Sequence, residues 1–367
     1  MTASTRAAER QDMRRTVAAF LDRHADSPRV REAMAGEAGY DVALWRRAAD
    51  ELGLTAVLVP ERCGGLGLDF TDAAAVLEEF GRRVVPTPLP TTLVAAAVLA
   101  RCGTVAADRL LTRIAEDGVS VSIAVAEPAA GWGIEATGTT ATRIGERWEL
   151  RGAKVYVPHG AAVDVLLVVA RDGDELGVYA VDGKQPGVGR RSRVTLDQTR
   201  RLAEVDLAGA AATRVHDEGA VAHLLVDLCM VALAVESAAA AAACLDMTVE
   251  YLKVRHQFGR PLGAFQALKH RCADLVVRVE GAVSAAWYAA AAASSGSDDL
   301  PLVAPLAKVV CADTLMAVAA EAVQMHGGIG FTFEHDAHLY LKRGKADQLL
   351  FGSGSQLRGR LARLAGV

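Results

Sequence analysis

An α+β chain of three consecutive domains is predicted from two switches in hydrophobic spacing and one compositional bias. Helical spacing dominates to about residue 118, alternation of β-branched with polar residues takes over from Val119, and helical spacing returns near Ala220, where alanine is concentrated. The expected bounds are an N-terminal helical domain at 1–118, an antiparallel β domain at 119–215, and a C-terminal four-helix bundle at 216–367 carrying the oligomer interface. With 367 residues, 51% of them apolar, the chain can bury a sizeable core.

In the first block, Leu44, Trp45, Ala48 and Leu52 fall on one stripe of a helix over Val42–Leu52, which Gly53 stops. The turn-rich VPERCGGLGLD (Val59–Asp69) follows, and then a helix from about Thr71 to Phe80 with Asp69 or Thr71 as its cap. Pro86, Pro88 and Pro90 interrupt helix and precede another at Thr91–Arg101. In the second block VSIAVAE, TTATRIGERWELRG, KVYVP, VDVLLVVARDG and ELGVYAVDG read as strands between short turns. The third block is broken at Gly259–Gly263, Ser294–Pro301 and His326–Phe331.

The composition excludes several function classes. A formal charge of -4 with Lys and Arg scattered leaves no electrostatic footprint for nucleic acid. Cys63, Cys102, Cys229, Cys244, Cys272 and Cys311 form no CxxC pair and stand near no metal-spaced His, so no metal site is expected. The N-terminal MTASTRAAERQDMRRTV has no apolar core and is no secretory signal, which with reduced thiols points to the cytoplasm. Leu224–Leu245 is long enough for a membrane span but carries Asp227 and Glu236, so it reads as a buried core helix.

Four segments, in order, carry the chemical signal: PERCGGLG (Pro60–Gly67), EPAAG (Glu127–Gly131), YLKVRHQFGRPLGAFQALKHRCADL (Tyr251–Leu275) and QMHGGIGFTFEHD (Gln324–Asp336). Arg255, at a helix end before the Gly259 turn, presents a charged fork able to hold a diphosphate through two bonds. Gly327 and Gly328 let a nucleotide approach the backbone and its N–H groups. Taken alone, Arg255 reads better as a surface ion-pair residue and the two glycines as a helix stop. The ordered set changes that balance, because it resembles the acyl-CoA dehydrogenase family over most of the chain, through that family's Pro-Glu-x-x-Gly-Gly-x-Gly, Glu-Pro-x-x-Gly, Arg-x-Gln-Phe-Gly with a following Phe-Gln, and Gln-x-x-Gly-Gly-x-Gly. The resemblance implies that family's fold, an acyl-CoA substrate and FAD. It also implies that Arg255, Gln257, Phe258, Gln266, Gln324, Gly327 and Gly328 bind the cofactor, reaching across a subunit boundary to the diphosphate and adenosine of a neighbour's FAD.

The family's reaction removes an α-proton with a carboxylate while the β-hydrogen leaves as hydride to the flavin. Most members carry the base in a Tyr-Glu-Gly-Thr loop, where this chain has Gly352; a smaller group carries it on the helix before the Arg-x-Gln-Phe-Gly turn, where counting back from Arg255 reaches Cys229. A thiol of ordinary pKa ~8.5 with no nearby cation is a poor base. Asp227 lies roughly 200° around the helix, and Glu236 shares the Cys229 face about 10 Å further along, which makes Glu236 the backup candidate. After Gly152 and Lys154, the usual Trp-Ile-Thr is replaced by Tyr156, Val157 and Pro158, and the usual Ser-Asp after Gly131 by Trp132 and Gly133.

Three readings follow. In the leading one the chain is the subunit without a base in an actinobacterial heteromeric (α2β2) acyl-CoA dehydrogenase of the steroid side-chain kind, completing the FAD site of a catalytic homologue. The second is a self-sufficient homo-oligomer using Glu236. The third is a flavin-free binding or non-redox protein on the same fold.

Overall fold

A computed structural model describes residues 3–216 and 219–366. Helices come first: α1 (Ala3–His24), α2 (Ser27–Ala35), α3 (Val42–Asp50), α4 (Phe70–Arg82), α5 (Leu89–Cys102) and α6 (Val105–Glu116). Strands follow as β1 (Val121–Ala124), β2 (Thr140–Ile144), β3 (Arg147–Pro158), β4 (Val165–Asp172), β5 (Glu175–Asp182), β6 (Val188–Ser192) and β7 (Leu202–His216). The last block holds α7 (Gly219–Val254), a small hairpin of β8 (His256–Gln257) and β9 (Arg260–Pro261), then α8 (Gln266–Ser295), α9 (Leu300–His326), α10 (Ala337–Asp347) and α11 (Gly354–Leu364). The chain divides into two compact units, one of residues 29–73 and 86–229, the other of residues 1–28, 74–85 and 230–367.

Local chemistry accounts for the helix ends of the first block. Asp41 caps α3 by accepting from the Ala43 and Leu44 N–H groups, and Gly53 takes φ +62 just beyond the helix. Asp69 accepts from the N–H groups of Thr71 and Asp72 ahead of α4. Pro90 lies in the first turn of α5, where a missing N–H costs no helical bond. In the turn between Pro60 and Gly67, a side chain at Gly65 would fall 2.0 Å from the Val59 carbonyl oxygen, so glycine is required there.

The unit of residues 29–73 and 86–229 is built on a sheet that closes on itself. Its strands run β4–β2–β3–β7–β5 and return to β4, with β1 added at β4 and β6 at β7. The closure is narrow, because β2 meets β4 only at Thr140 and Arg171. Leu166, Val168 and Ala170 from β4, Tyr179 and Val181 from β5, and Val205, Leu207 and Ala210 from β7 fill its interior. The sheet departs from the antiparallel expectation at two pairings: β1 and β2 both run parallel to β4. The reason is topological, since β1 and β4 are separated by a connection that contains the β2–β3 hairpin, long enough for a parallel return. Thr91 and Thr92 of α5 donate to the Val121 carbonyl and so tie helix to sheet.

The other unit is helical. Besides α1 and most of α4, it holds most of α7, the long α8 and α9, and two short helices, α10 and α11, both packed on α9. The break between the short pair has a backbone cause, because Phe351 and Gly352 both take positive φ. By length and composition α7, α8 and α9 could each cross a membrane, yet 89% of the most apolar stretch of α7 is buried inside the protein. The corresponding stretch of α8 is only 39% buried, and Val276, Val277 and Tyr288 lie exposed on it.

Helix α4 comes close to the backbone of α7 at Gly81. A Cβ on Gly81 would sit 2.7 Å from the Glu236 carbonyl oxygen, a backbone atom that cannot swing aside. Gly81→Ala should therefore cost about 1–3 kcal/mol of stability. Gly281→Ala on α8, whose Cβ would meet nothing within 4 Å, should stabilise by up to about 1 kcal/mol through helix propensity. Urea denaturation of both variants checks this, and equal effects at the two positions would show that the close approach at Gly81 does not govern packing.

Candidate active and cofactor sites

The seven cofactor-site candidates converge on one end of the helical unit. Tyr251, in the last turn of α7, stacks on His326, the last residue of α9, with ring centroids 4.3 Å apart, and its hydroxyl donates to the His326 carbonyl at 3.3 Å. That contact brings the Arg255 turn beside Gly327 and Gly328. The start of α8 is drawn to the same place, because the Leu262 N–H donates to the Arg255 carbonyl at 2.7 Å and Gly263 packs on the Leu252 backbone. Arg255, Gln257, Phe258, Gln266, Gln324, Gly327 and Gly328 are all exposed. A Cβ on Gly327 or Gly328 would meet nothing within 4 Å, which leaves room for a group approaching from outside.

The β8–β9 turn has an unusual tip. Phe258 and Gly259 both take positive φ, +53 and +75, the geometry of a tight hairpin that ordinarily carries Asn-Gly. A phenylalanine is strained there, and it is 89% exposed, edge-on to Phe265.

In the sheet unit, Glu127 of the Glu-Pro-x-x-Gly segment is anchored from several sides. Its carboxylate accepts from Lys154 Nζ at 2.6 Å, Thr139 Oγ1 at 2.6 Å, and the N–H groups of Thr139 and Gly138 at 3.0 and 2.7 Å. Burial alone would raise its pKa, but the bonds from Lys154, Thr139 and Gly138 outweigh that and hold the carboxyl below its ordinary value. Burial pushes Lys154 down to about 8, against the pull of Glu127. Beside this pair, Trp132 stacks on Tyr156 at 6.2 Å, and Tyr156 takes φ +56 at a bulge in β3. The two aromatic rings thus occupy each other at the positions where the family places a small polar residue and a Trp, and Pro158 supplies neither hydroxyl nor N–H.

None of the three positions weighed for a base presents a free carboxylate. Gly352 is buried at φ +114, and its carbonyl accepts from Lys308 Nζ at 2.5 Å, with a second bond from Nζ to the Gln348 carbonyl at 3.0 Å. Lys308 itself is buried and pushed down to about 8 by desolvation, against Asp347 and Asp313. Cys229 is buried, and its thiol is pushed far above the ordinary value by burial and then by Asp227. Glu236 is 3% exposed and lies 3.7 Å from the equally buried Arg343, whose helix also brings Asp347 to within 2.9 Å of Ser237.

The chain matches two family profiles, "Acyl-CoA dehydrogenase, N-terminal domain" over residues 7–118 and "Acyl-CoA dehydrogenase, C-terminal domain" over residues 221–365. It is 38% identical over 353 residues to the acyl-CoA dehydrogenase IpdE2 of Mycolicibacterium smegmatis, covering 96% of this chain and 97% of that protein. The protein belongs to the acyl-CoA dehydrogenase family. A solved variant of the Tcur3481-Tcur3483 steroid ACAD superimposes with a TM-score of 0.91 at 32% identity, covering 98% of each chain. The ChsE4-ChsE5 complex of Mycobacterium tuberculosis gives 0.88 at 26% identity, over 98% of this chain and 97% of that one. Membership makes the chain an oxidoreductase of the acyl-CoA dehydrogenase type, in a family that depends on FAD. The exposed, uncrowded end that carries Arg255, Gly327 and Gly328 has room for a dinucleotide, whereas around Trp132 and Tyr156 the two stacked rings fill the space.

Tyr251, His326, Lys308 and Arg343 were not picked out by sequence reasoning. The first two had a local signal, since Tyr251 lies one helical turn before Arg255 and His326 directly precedes the glycine pair.

Removing the Glu127 charge tests how the sheet unit is held. Glu127→Gln leaves Lys154 buried without its counter-charge and should cost about 3 kcal/mol. Because the folded-state pKa of Glu127 lies below its unfolded value, the wild-type contribution is full above about pH 4.3 and is lost as pH falls through the folded value. Acid titration by near-ultraviolet circular dichroism should show a shallower loss of stability in the variant. Parallel curves would show that Glu127 titrates alike in folded and unfolded chains.

Proposed function

We propose that this chain is the subunit without a catalytic base in a heteromeric, FAD-dependent acyl-CoA dehydrogenase, and that it completes the FAD site of a homologous catalytic subunit. The observation that carries the reading is a contrast between two sets of residues. Gly352, Cys229 and Glu236 are respectively side-chain-free, protonated and committed to Arg343, while Arg255, Gln257, Gln266 and Gly327–Gly328 stand open on one end. Phe258 at its strained turn, together with the exposed apolar side of α8, supports an oligomeric partner.

In this reading Arg255 holds the diphosphate of a neighbour's cofactor through its guanidinium fork, and Gly327 and Gly328 offer backbone N–H groups beside it. FAD, when bound, accepts the β-hydrogen of the acyl-CoA as hydride. The α-proton goes to a carboxylate of the partner subunit, since none of Gly352, Cys229 and Glu236 offers a carboxylate placed to take it. The names of the Tcur3481-Tcur3483 and ChsE4-ChsE5 proteins, both pairs of chains and the former a steroid ACAD, support a heteromeric assembly acting on a steroid-derived CoA thioester. Six free cysteines, five of them buried, suit a reducing cytoplasmic setting.

Two measurements test this. Arg255→Ala in the purified assembly should lower FAD retention by an amount worth about 2 kcal/mol, read as the ratio of absorbance at 450 nm to that at 280 nm, and unchanged flavin content would refute the clamp. With an artificial electron acceptor, the isolated chain should show no turnover, and Glu236→Gln should leave the activity of the assembly standing. Turnover by the isolated chain that Glu236→Gln abolishes would instead establish a self-sufficient dehydrogenase with Glu236 as base, because loss of a general base commonly costs ~10²- to 10⁴-fold in rate.

A further inference from the structure

The base of the clamp contains an arrangement that cofactor binding alone does not call for. His326 is 3% exposed and sits between two other rings, Tyr251 of α7 at 4.3 Å and His335, just ahead of α10, also at 4.3 Å. Its Nδ1 lies 2.7 Å from the Ala322 carbonyl, so that nitrogen carries the proton. The tautomer is thereby fixed, and Nε2 is left as a bare acceptor. That Nε2 is buried with no hydrogen-bond partner. An orphaned acceptor of this kind costs on the order of 1–3 kcal/mol, and such a cost is retained only where the surroundings impose it.

We propose that the Tyr251–His326–His335 stack is the positioning element of the clamp, setting the Gly327–Gly328 backbone against the Arg255 turn, and that it does so only while His326 is neutral. The inference rests on the clamp role proposed above for Arg255 and the glycines. Tyr251 links the two halves of the clamp directly, stacking on the His326 ring, donating to its carbonyl, and accepting at 2.9 Å from the N–H of Arg255 just past the helix end. The His326 carbonyl belongs to the peptide that leads into Gly327, so the long 3.3 Å bond from the Tyr251 hydroxyl only adds to a placement that the ring stack sets.

Protonating Nε2 would place an N–H with no acceptor, and a full charge, in a buried site facing His335. The groups that face His326 are Tyr251 from α7, His335 from the segment before α10, and the Ala322 carbonyl from its own helix. No carboxylate is among them. Burial, followed by His335, holds the His326 pKa below its ordinary value, while the bond to Ala322 works the other way. At neutral pH the ring is uncharged and the stack intact; at acidic pH the cation opposes the stack, and the turn it holds loosens.

The test uses the flavin-loaded assembly as purified from its source cells. Rates of FAD release are followed by the rise in flavin fluorescence from pH 8 to pH 5, for wild type, Tyr251→Leu, Tyr251→Phe and His326→Phe. Tyr251→Leu should release FAD at least tenfold faster at pH 8, while Tyr251→Phe, which keeps the ring, should stay within about threefold of wild type. Wild type should show an added acid-triggered release below the ordinary histidine pKa of ~6.5, and His326→Phe should lack it. If Tyr251→Leu holds flavin as wild type does, or if acid release is the same with and without His326, the inference falls. Should His326→Phe fail to assemble, the Tyr251 pair decides. The parent reading is judged separately: Arg255→Ala without loss of flavin removes the clamp altogether, whereas loss with Arg255→Ala but not with Tyr251→Leu removes only the stack.

Discussion

Glu236 and Arg343 are a buried ion pair, and the helical unit is organised around satisfying them. Two charges at 3% and 2% exposure are tolerable only with opposite charge and hydrogen bonds close by. Arg343 on α10 provides for Glu236 on α7, Asp347 on α10 takes the hydroxyl of Ser237 beside it, and Lys308 on α9 lies within electrostatic reach of the same Asp347. Lys308 then spends two of its donors on the carbonyls of Gln348 and Gly352. One network therefore fixes the spacing of three helices and the path of the loop between α10 and α11.

That arrangement explains why the two functional ends of the unit differ. The loop that carries the base in most of the family is here pinned by a buried lysine and folded through positive φ, a closed, fully bonded feature. The clamp end is held from behind, through Tyr251 and His326, and its outward side is left bare. Cys229 and Glu236 lie in the core, whereas Arg255, Gln257, Gln266, Gly327 and Gly328 lie at the surface.

What could be read from sequence was what is local. Gly53, Asp69 and Pro90 mark their helix ends because caps, positive φ and missing N–H groups act within a few residues. The family resemblance was legible because its motifs are contiguous. The rest joins distant positions: Tyr251 meets His326 75 residues later, Lys308 reaches Gly352 44 residues on, and β2 closes the ring at a single pairing between Thr140 and Arg171. Nothing in the spacing of a strand announces a parallel neighbour, so the sheet was expected to be wholly antiparallel. Glu236 reads as a spare carboxylate until Arg343, more than a hundred residues away, is seen beside it.

The geometry at Gly352 bears on how this lineage can change. Glycine and glutamate codons can differ by one nucleotide, so a return to an acidic side chain here is mutationally near. It is structurally distant, because φ +114 suits glycine, a Cβ would press on Leu357 at 3.1 Å, and Lys308 holds the adjoining carbonyl. Several substitutions would have to arise together before any one of them was useful. The position therefore behaves as a ratchet, held at glycine by its neighbours rather than by its codon.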